Sequence, residues 1–276
     1  MPRYDLHCHS TCSDGLLSPA DVVRRAAARG VDVIALTDHD QLAGLAEARD
    51  AARAAEITFI DGAELSVTWE NETVHVVALA IDPSNHALIE GLAAVRSGRD
   101  QRARRIGEAL AAAGVHDAFE GARTHAMSDQ LISRTHFARH LVDSGHVRDM
   151  KDAFRRFLTK GKPGYVAHTW PTLGEAVGWI HGAGGRAVIA HPGRYKLTPT
   201  GMRRLLAEFR DLDGDAIEVI SPSHTASQSA DFAASARAFG FRASSGSDWH
   251  GPGESRWDLG QLPPLPDAVD PVWADW

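Results

Sequence analysis

Close to the N-terminus, His7-Cys8-His9 sets two imidazoles two residues apart, and Asp14 follows in the loop Ser13-Asp14-Gly15. In an extended segment side chains alternate faces, so His7 and His9 point the same way and can share one cation, while Cys8 points away. Alone, the pair is a weak signal. Its weight comes from where other acids and imidazoles fall: His39 in Thr37-Asp38-His39, Glu64 after Asp61-Gly62-Ala63, His75, His191 before Pro192, and Asp248 with His250. Asp248 and His250 repeat the spacing of His7 and His9. Six imidazoles and three carboxylates are too many for one zinc and suit a site of two or three cations. Imidazole and carboxylate without thiolate fit Mn²⁺, Fe²⁺ or Zn²⁺. A single histidine is more often structural than a ligand; nine such residues arriving together argue for metal.

The elements that must carry them follow from the sequence pattern. Tyr4–Leu6 reads as a first strand, and Ser18-Pro19 as the cap and first position of a helix that stops at Gly30. Strands are expected at Val31–Leu36, Ile57–Ile60 and Thr73–Leu79, with a helix over Leu42–Ala55 between the first two. This β-α-β rhythm predicts a parallel sheet with polar residues delivered at strand ends, the edge where barrels and open parallel sheets build their sites. From Asn85 to Tyr165 no strand pattern appears. Helices are expected at Leu88–Ala113, Ser133–Gly145 and Val147–Leu158, so residues 85–165 read as an inserted helical subdomain capping a barrel formed by 1–84 and 166–276. The rhythm resumes with helix Leu173–Ala183, strand Arg186–Ala190, a helix near Thr200–Arg210, strand Ala216–Ile220, helix Ser227–Phe239 and strand Phe241–Ser244. The proline-rich stretch Leu262–Pro271 reads as irregular cover. His224 and Trp249 are expected to border the pocket, the latter because it lies between two candidate ligands.

Bulk properties bound the function. The chain has 276 residues, 43% hydrophobic and 24% charged, enough for one large core. No apolar run reaches the roughly 20 residues of a membrane span, and the start lacks the features of a signal peptide. Cys8 and Cys12 are the only cysteines, too few for a disulfide framework, so reduced thiols in a cytoplasm are expected. A net charge of −7 argues against a broad nucleic-acid coat but leaves room for a local basic pocket.

The ordered set His7-x-His9, Asp14, Thr37-Asp38-His39, Glu64, His75, Ala190-His191-Pro192 and Ser247-Asp248-x-His250 resembles the motifs of the PHP (polymerase and histidinol phosphatase) family across nearly the whole chain. The resemblance implies a distorted (β/α)7 barrel of the α/β class with a trinuclear site, most readily three Mn²⁺. It implies one cation on His7, His9, Glu64 and Asp248, a second on Glu64, His75 and His191, and a third on Asp14, His39 and His250. Asp14, His39, Glu64, His191, Asp248 and His250 are the expected catalytic group. The stretches Ser97–Arg102, Ile132–His140 and Lys160–Tyr165 are similar to the branch acting on 3′,5′-nucleoside bisphosphates.

The chemistry agrees. Three divalent ions outweigh three carboxylates, which makes an anion site inside an acidic protein. Clustered cations acidify water and clamp attacking and leaving oxygens, so in-line attack by a hydroxide held between metals is expected. Arginine forks suit a second, non-reacting phosphate, and Arg99, Arg102, Arg134 and Arg194 are the candidates. A metal-bound imidazole is a poor acid, so metal stabilisation of the leaving alkoxide is the simpler expectation. The leading reading is removal of the 3′-phosphate from a 3′,5′-nucleoside bisphosphate. The alternatives are a 5′→3′ exonuclease on short RNA or DNA, a histidinol- or sugar-phosphate phosphatase, and a metal-storing or regulatory domain without turnover. The partner is a nucleotide or short oligonucleotide, without a membrane or an obligate protein partner.

Overall fold

The computed structural model describes residues 2–127 and 131–276. Seven strands lie in chain order in one sheet: β1 (Tyr4–Asp5), β2 (Val33–Leu36), β3 (Thr58–Trp69), β4 (Glu72–Leu79), β5 (Arg186–Ile189), β6 (Ala216–Ile220) and β7 (Arg242–Ser245). The two outer strands approach each other. Leu6 N–H donates to the Ser245 carbonyl at 3.1 Å, Asp248 N–H to His7 at 2.8 Å and His9 N–H to Trp249 at 2.9 Å. The result is a nearly closed barrel wrapped by helices, and the closing seam holds both H/D-x-H pairs.

Helices α1 (Pro19–Ala28) and α2 (Leu45–Ala54) follow β1 and β2. Ser18 caps α1 by accepting the Asp21 N–H at 3.1 Å, with Pro19 at the first helical position. Between β4 and β5 lie α3 (His86–Ala112), whose Leu88 and Leu92 join the barrel core, α4 (Ala118–Thr124), α5 (Arg134–Asp143) and α6 (Met150–Ala153), the last running into a π-helical turn over Phe154–Leu158. Helix α4 was not expected from the sequence. Ile106, Leu110, Phe137, Leu141 and Leu158 give these helices their own apolar cluster, apart from the barrel's. Helices α7 (Leu173–Gly182), α8 (Pro199–Asp211) and α9 (Ala226–Phe239) complete the wrap, and capping boxes at Thr172/Glu175 and Thr225/Gln228 start the first and last of them. Among the described residues no helix is long and apolar enough to cross a membrane.

The expected all-parallel sheet is corrected at one place. β4 runs antiparallel to both β3 and β5, while the other neighbours are parallel. The cause is β3, which continues through Glu64 to Trp69 instead of ending at Ile60. Ala63, Leu65, Val67 and Trp69 alternate into the barrel–helix core, while Glu64, Ser66 and Thr68 face the other way. Such a long alternating strand leaves no room for a crossover helix, so the chain returns directly as a hairpin. Glu64 thereby sits within a strand, wedged between β2 and β4, and not in a loop after one.

Candidate metal centre

Each of the nine candidate residues lies on the same barrel rim. His7 and His9 leave β1, and Asp14 follows in a loop pinned by Asp38. That carboxylate accepts the Ser10 N–H at 2.7 Å and the Ser10 and Ser13 hydroxyls at 2.6 Å each. His39 follows β2 and bridges to Glu64 of β3. His75 is on β4, His191 follows β5, and Asp248 and His250 follow β7. The Cys8 thiol is turned away into the core, donating to the Ala35 carbonyl at 3.2 Å, as the strand alternation requires.

Glu64 is the hub. Its Oε1 lies 2.8 Å from both His75 Nδ1 and His191 Nε2, and its Oε2 lies 2.9 Å from His39 Nδ1 and 3.4 Å from His7 and His9 Nε2. Asp248 Oδ1 is 3.3 Å from His9 Nε2, and Asp14 Oδ1 is 3.3 Å from His250 Nε2. The donor atoms form four overlapping groups whose members lie within 4.8 Å of one another: His9/Asp14/His39/His250, His7/His9/Asp248, His7/Glu64/His191 and His39/Glu64/His75.

Whether this pocket suits cations is decided by its oxygens. Asp14 Oδ1, Glu64 Oε2 and Asp248 Oδ1 are buried and accept no hydrogen bond, one from each carboxylate. A buried carboxylate oxygen without a partner costs several kcal/mol or draws a positive charge. Three of them converging among imidazoles fit divalent cations.

The charges packed into the pocket push its titratable groups in opposite directions. Burial opposes ionisation of Glu64, but His75, His39 and His7 hold its carboxyl well below the usual range. Burial and the charge of His250 push His9 down to about 3, and burial with Arg194 does the same to His191. Burial also disfavours a charge on His250, yet Asp14 outweighs it and raises that imidazole to about 9. Two of the nine candidate residues, His191 (φ 29°) and Asp248 (φ 46°), adopt left-handed backbone without being glycine. Such strain costs of order 1–3 kcal/mol each and clusters at sites where geometry matters more than comfort.

The four arginines proposed from sequence flank this pocket in different states. Arg99 is buried, its Nε donating to Asp40 at 2.6 Å and its Nη2 to Ser66 at 2.6 Å, above the Trp170 ring. Arg194 pairs with Asp248 at 2.7 Å and is half exposed. Arg102 and Arg134 are partly buried and pair with no carboxylate among the described residues. Arg102 donates to the Val166 carbonyl at 3.1 Å, and Arg134 reaches the Leu158 carbonyl at 3.5 Å. Burial and the charges of Arg134 and Arg99 pull Arg102 down to about 9, while burial and Arg194 lower Arg134. These guanidiniums are close enough for their like charges to oppose one another.

Some residues were not singled out from sequence. Ser133, the cap of α5, donates its hydroxyl to Asp14 Oδ2 at 2.9 Å. Arg139 donates to the Asp14 carbonyl at 2.7 Å and grips Glu254 at 2.9 and 2.7 Å. Both tie the insertion to the rim. The N–H of Gly193 donates to His224 at 3.0 Å, so His224 supports the turn after His191. Trp249 departs from expectation: it is 1% exposed and packs with Cys8 and Leu36, because the segment after Asp248 alternates as a strand does.

A rim of nine imidazoles and carboxylates on a nearly closed seven-stranded barrel defines the class: the chain belongs to the PHP domain family, whose model matches residues 5–165. Among its relatives, the 3′,5′-nucleoside bisphosphate phosphatase of Chromobacterium violaceum is 52% identical over 100% of this chain and 96% of its own. The 5′-3′ exoribonuclease of Haemophilus influenzae is 42% identical over 98% of each chain. A solved structure from Chromobacterium violaceum, described as an amidohydrolase with bound sulfate and no metal, superposes with a TM-score of 0.96 at 52% identity, over 98% of this chain and 94% of that one.

Proposed function

We propose that this chain is a divalent-metal-dependent phosphatase that removes the 3′-phosphate of 3′,5′-nucleoside bisphosphates. The observation that carries the reading is the meeting of two features: three orphaned carboxylate oxygens among six imidazoles, and beside them two partly buried guanidiniums without an acidic partner among the described residues. A substrate with one phosphate to cleave and one to hold matches both halves. The relative that is 52% identical over the full chain supports it.

In this reading His7, His9, Glu64 and Asp248 hold one cation, Glu64 with His75 and His191 a second, and Asp14, His39 and His250 a third. A mixed set of imidazoles and carboxylates without thiolate accommodates Mn²⁺, Fe²⁺ or Zn²⁺, and Mn²⁺ is the cation taken first. Divalent cations bound there supply Lewis acidity, neutralising phosphoryl charge and acidifying coordinated water. Arg102 and Arg134 bind the 5′-phosphate as planar forks, fixing which phosphate faces the pocket. Arg194 offers its outer nitrogens to the scissile phosphate while one holds Asp248. Arg99, bound to Asp40 and Ser66, braces α3 of the capping insertion against the rim. Reaction in the cytoplasm fits the two reduced cysteines.

A second reading, 5′→3′ exonuclease action, draws on the Haemophilus influenzae relative, 42% identical over 98% of each chain. Mn²⁺-loaded protein should be incubated with adenosine 3′,5′-bisphosphate, AMP, histidinol phosphate and a 5′-phosphorylated oligoribonucleotide. The expected order puts the bisphosphate first. Faster shortening of the oligonucleotide selects the second reading, and phosphate release from none of the four sinks the phosphatase reading.

A further inference from the structure

Strand β6 carries a single acid among apolar residues, Glu218 in Ala216-Ile217-Glu218-Val219-Ile220, and it is 1% exposed. Burying a carboxylate in a strand is costly unless both oxygens find donors. They do, on two different ligand-bearing segments. Oε1 lies 2.6 Å from His7 Nδ1, and Oε2 accepts the backbone N–H of His191 at 2.6 Å.

The first contact decides a tautomer. The other ring nitrogen of His7, Nε2, faces the pocket, 3.2 Å from His9 Nε2, 3.4 Å from Glu64 Oε2 and 3.6 Å from Asp248 Oδ1. A nitrogen ligates only through a free lone pair, so the ring proton must sit on Nδ1, where Glu218 accepts it. The second contact restrains a strained residue. His191 holds φ at 29° directly before Pro192, a combination that persists only when the surroundings enforce it.

We infer that Glu218 is a positioning residue for the metal centre, one carboxylate fixing both the His7 tautomer and the His191 turn so that donors from two strands converge. This rests on the metal-dependent reading above. The carboxylate is specifically required, because glutamine has the same shape but only one acceptor oxygen, and its amide would meet the second donor with N–H groups.

Three measurements test it: Mn²⁺ affinity of the full chain and of Glu218→Gln and Glu218→Ala by electron paramagnetic resonance, melting of each in chelator, and ¹⁵N resonances of histidine-labelled wild-type protein. In wild-type protein loaded with diamagnetic Zn²⁺, His7 is expected as the Nδ1–H tautomer. Mn²⁺ dissociation constants of both variants are expected to rise about 10- to 100-fold, with melting in chelator within about 4 °C of wild type. Wild-type Mn²⁺ affinity in either variant overturns the inference, whatever its melting temperature. A proton on Nε2 of His7 in that Zn²⁺-loaded sample overturns it even where neither variant folds. A wild-type chain that takes up no Mn²⁺ defeats the metal reading itself, a different result from either.

Discussion

Glu64→Gln is expected to remove phosphate release and cation together. The carboxylate stands within 3.4 Å of five imidazoles, and its Oε2 accepts no hydrogen bond. An amide of the same size keeps the packing but loses the negative charge that two cation sites would share. It also places N–H groups against ring nitrogens that must stay unprotonated. Losing metal charge stabilisation of several kcal/mol, about 4, corresponds to a rate lower by about 10³-fold. The check is kcat together with elemental analysis of the same purified sample. Full metal content with full activity would remove Glu64 from the role given to it.

The second large effect separates binding from chemistry. Arg134→Ala is expected to raise KM for adenosine 3′,5′-bisphosphate by about 10- to 150-fold, the equivalent of roughly 1.5–3 kcal/mol for one hydrogen-bonded charge contact. For a simple phosphomonoester the change should stay below about threefold, since no second phosphate awaits the guanidinium. Arg134 has no carboxylate partner among the described residues, so its removal leaves no buried acid uncompensated and folding should hold. Steady-state kinetics on the two substrates decide it. Equal effects on both would mean that Arg134 acts on the reacting phosphate or on the fold.

How far the sequence reaches is seen by comparing residues. The nine pocket residues were legible because each falls where an apolar run ends or, for His75, inside one, and the structure brings all nine onto one rim. The barrel was legible for the same reason, strand after strand being an apolar run with a capped helix behind it. The hairpin β3–β4 was not, because Asp61-Gly62 reads as a turn although the alternation Ala63, Leu65, Val67, Trp69 carries the strand onward. Supports such as Glu218, Asp38 and the Arg139–Glu254 pair were also hidden. Their meaning lies in partners 25 to 211 residues away, and local spacing cannot express that. One signal was available for Glu218: a lone acid inside the apolar strand Ala216–Ile220 must have been buried and partnered.

The arginines mark the boundary between these cases. Arg99, Arg102 and Arg134 are alike in sequence, basic residues on helices of the insertion. Only tertiary structure separates Arg99, bound to Asp40 and Ser66, from Arg102 and Arg134, which pair with no acid among the described residues.

The most direct test follows ³¹P resonances while Mn²⁺-loaded protein acts on adenosine 3′,5′-bisphosphate. The 3′-phosphate signal is expected to give way to inorganic phosphate while the 5′-phosphate signal persists, leaving 5′-AMP. Loss of the 5′-phosphate with 3′-AMP as product, or an unchanged spectrum, would contradict it.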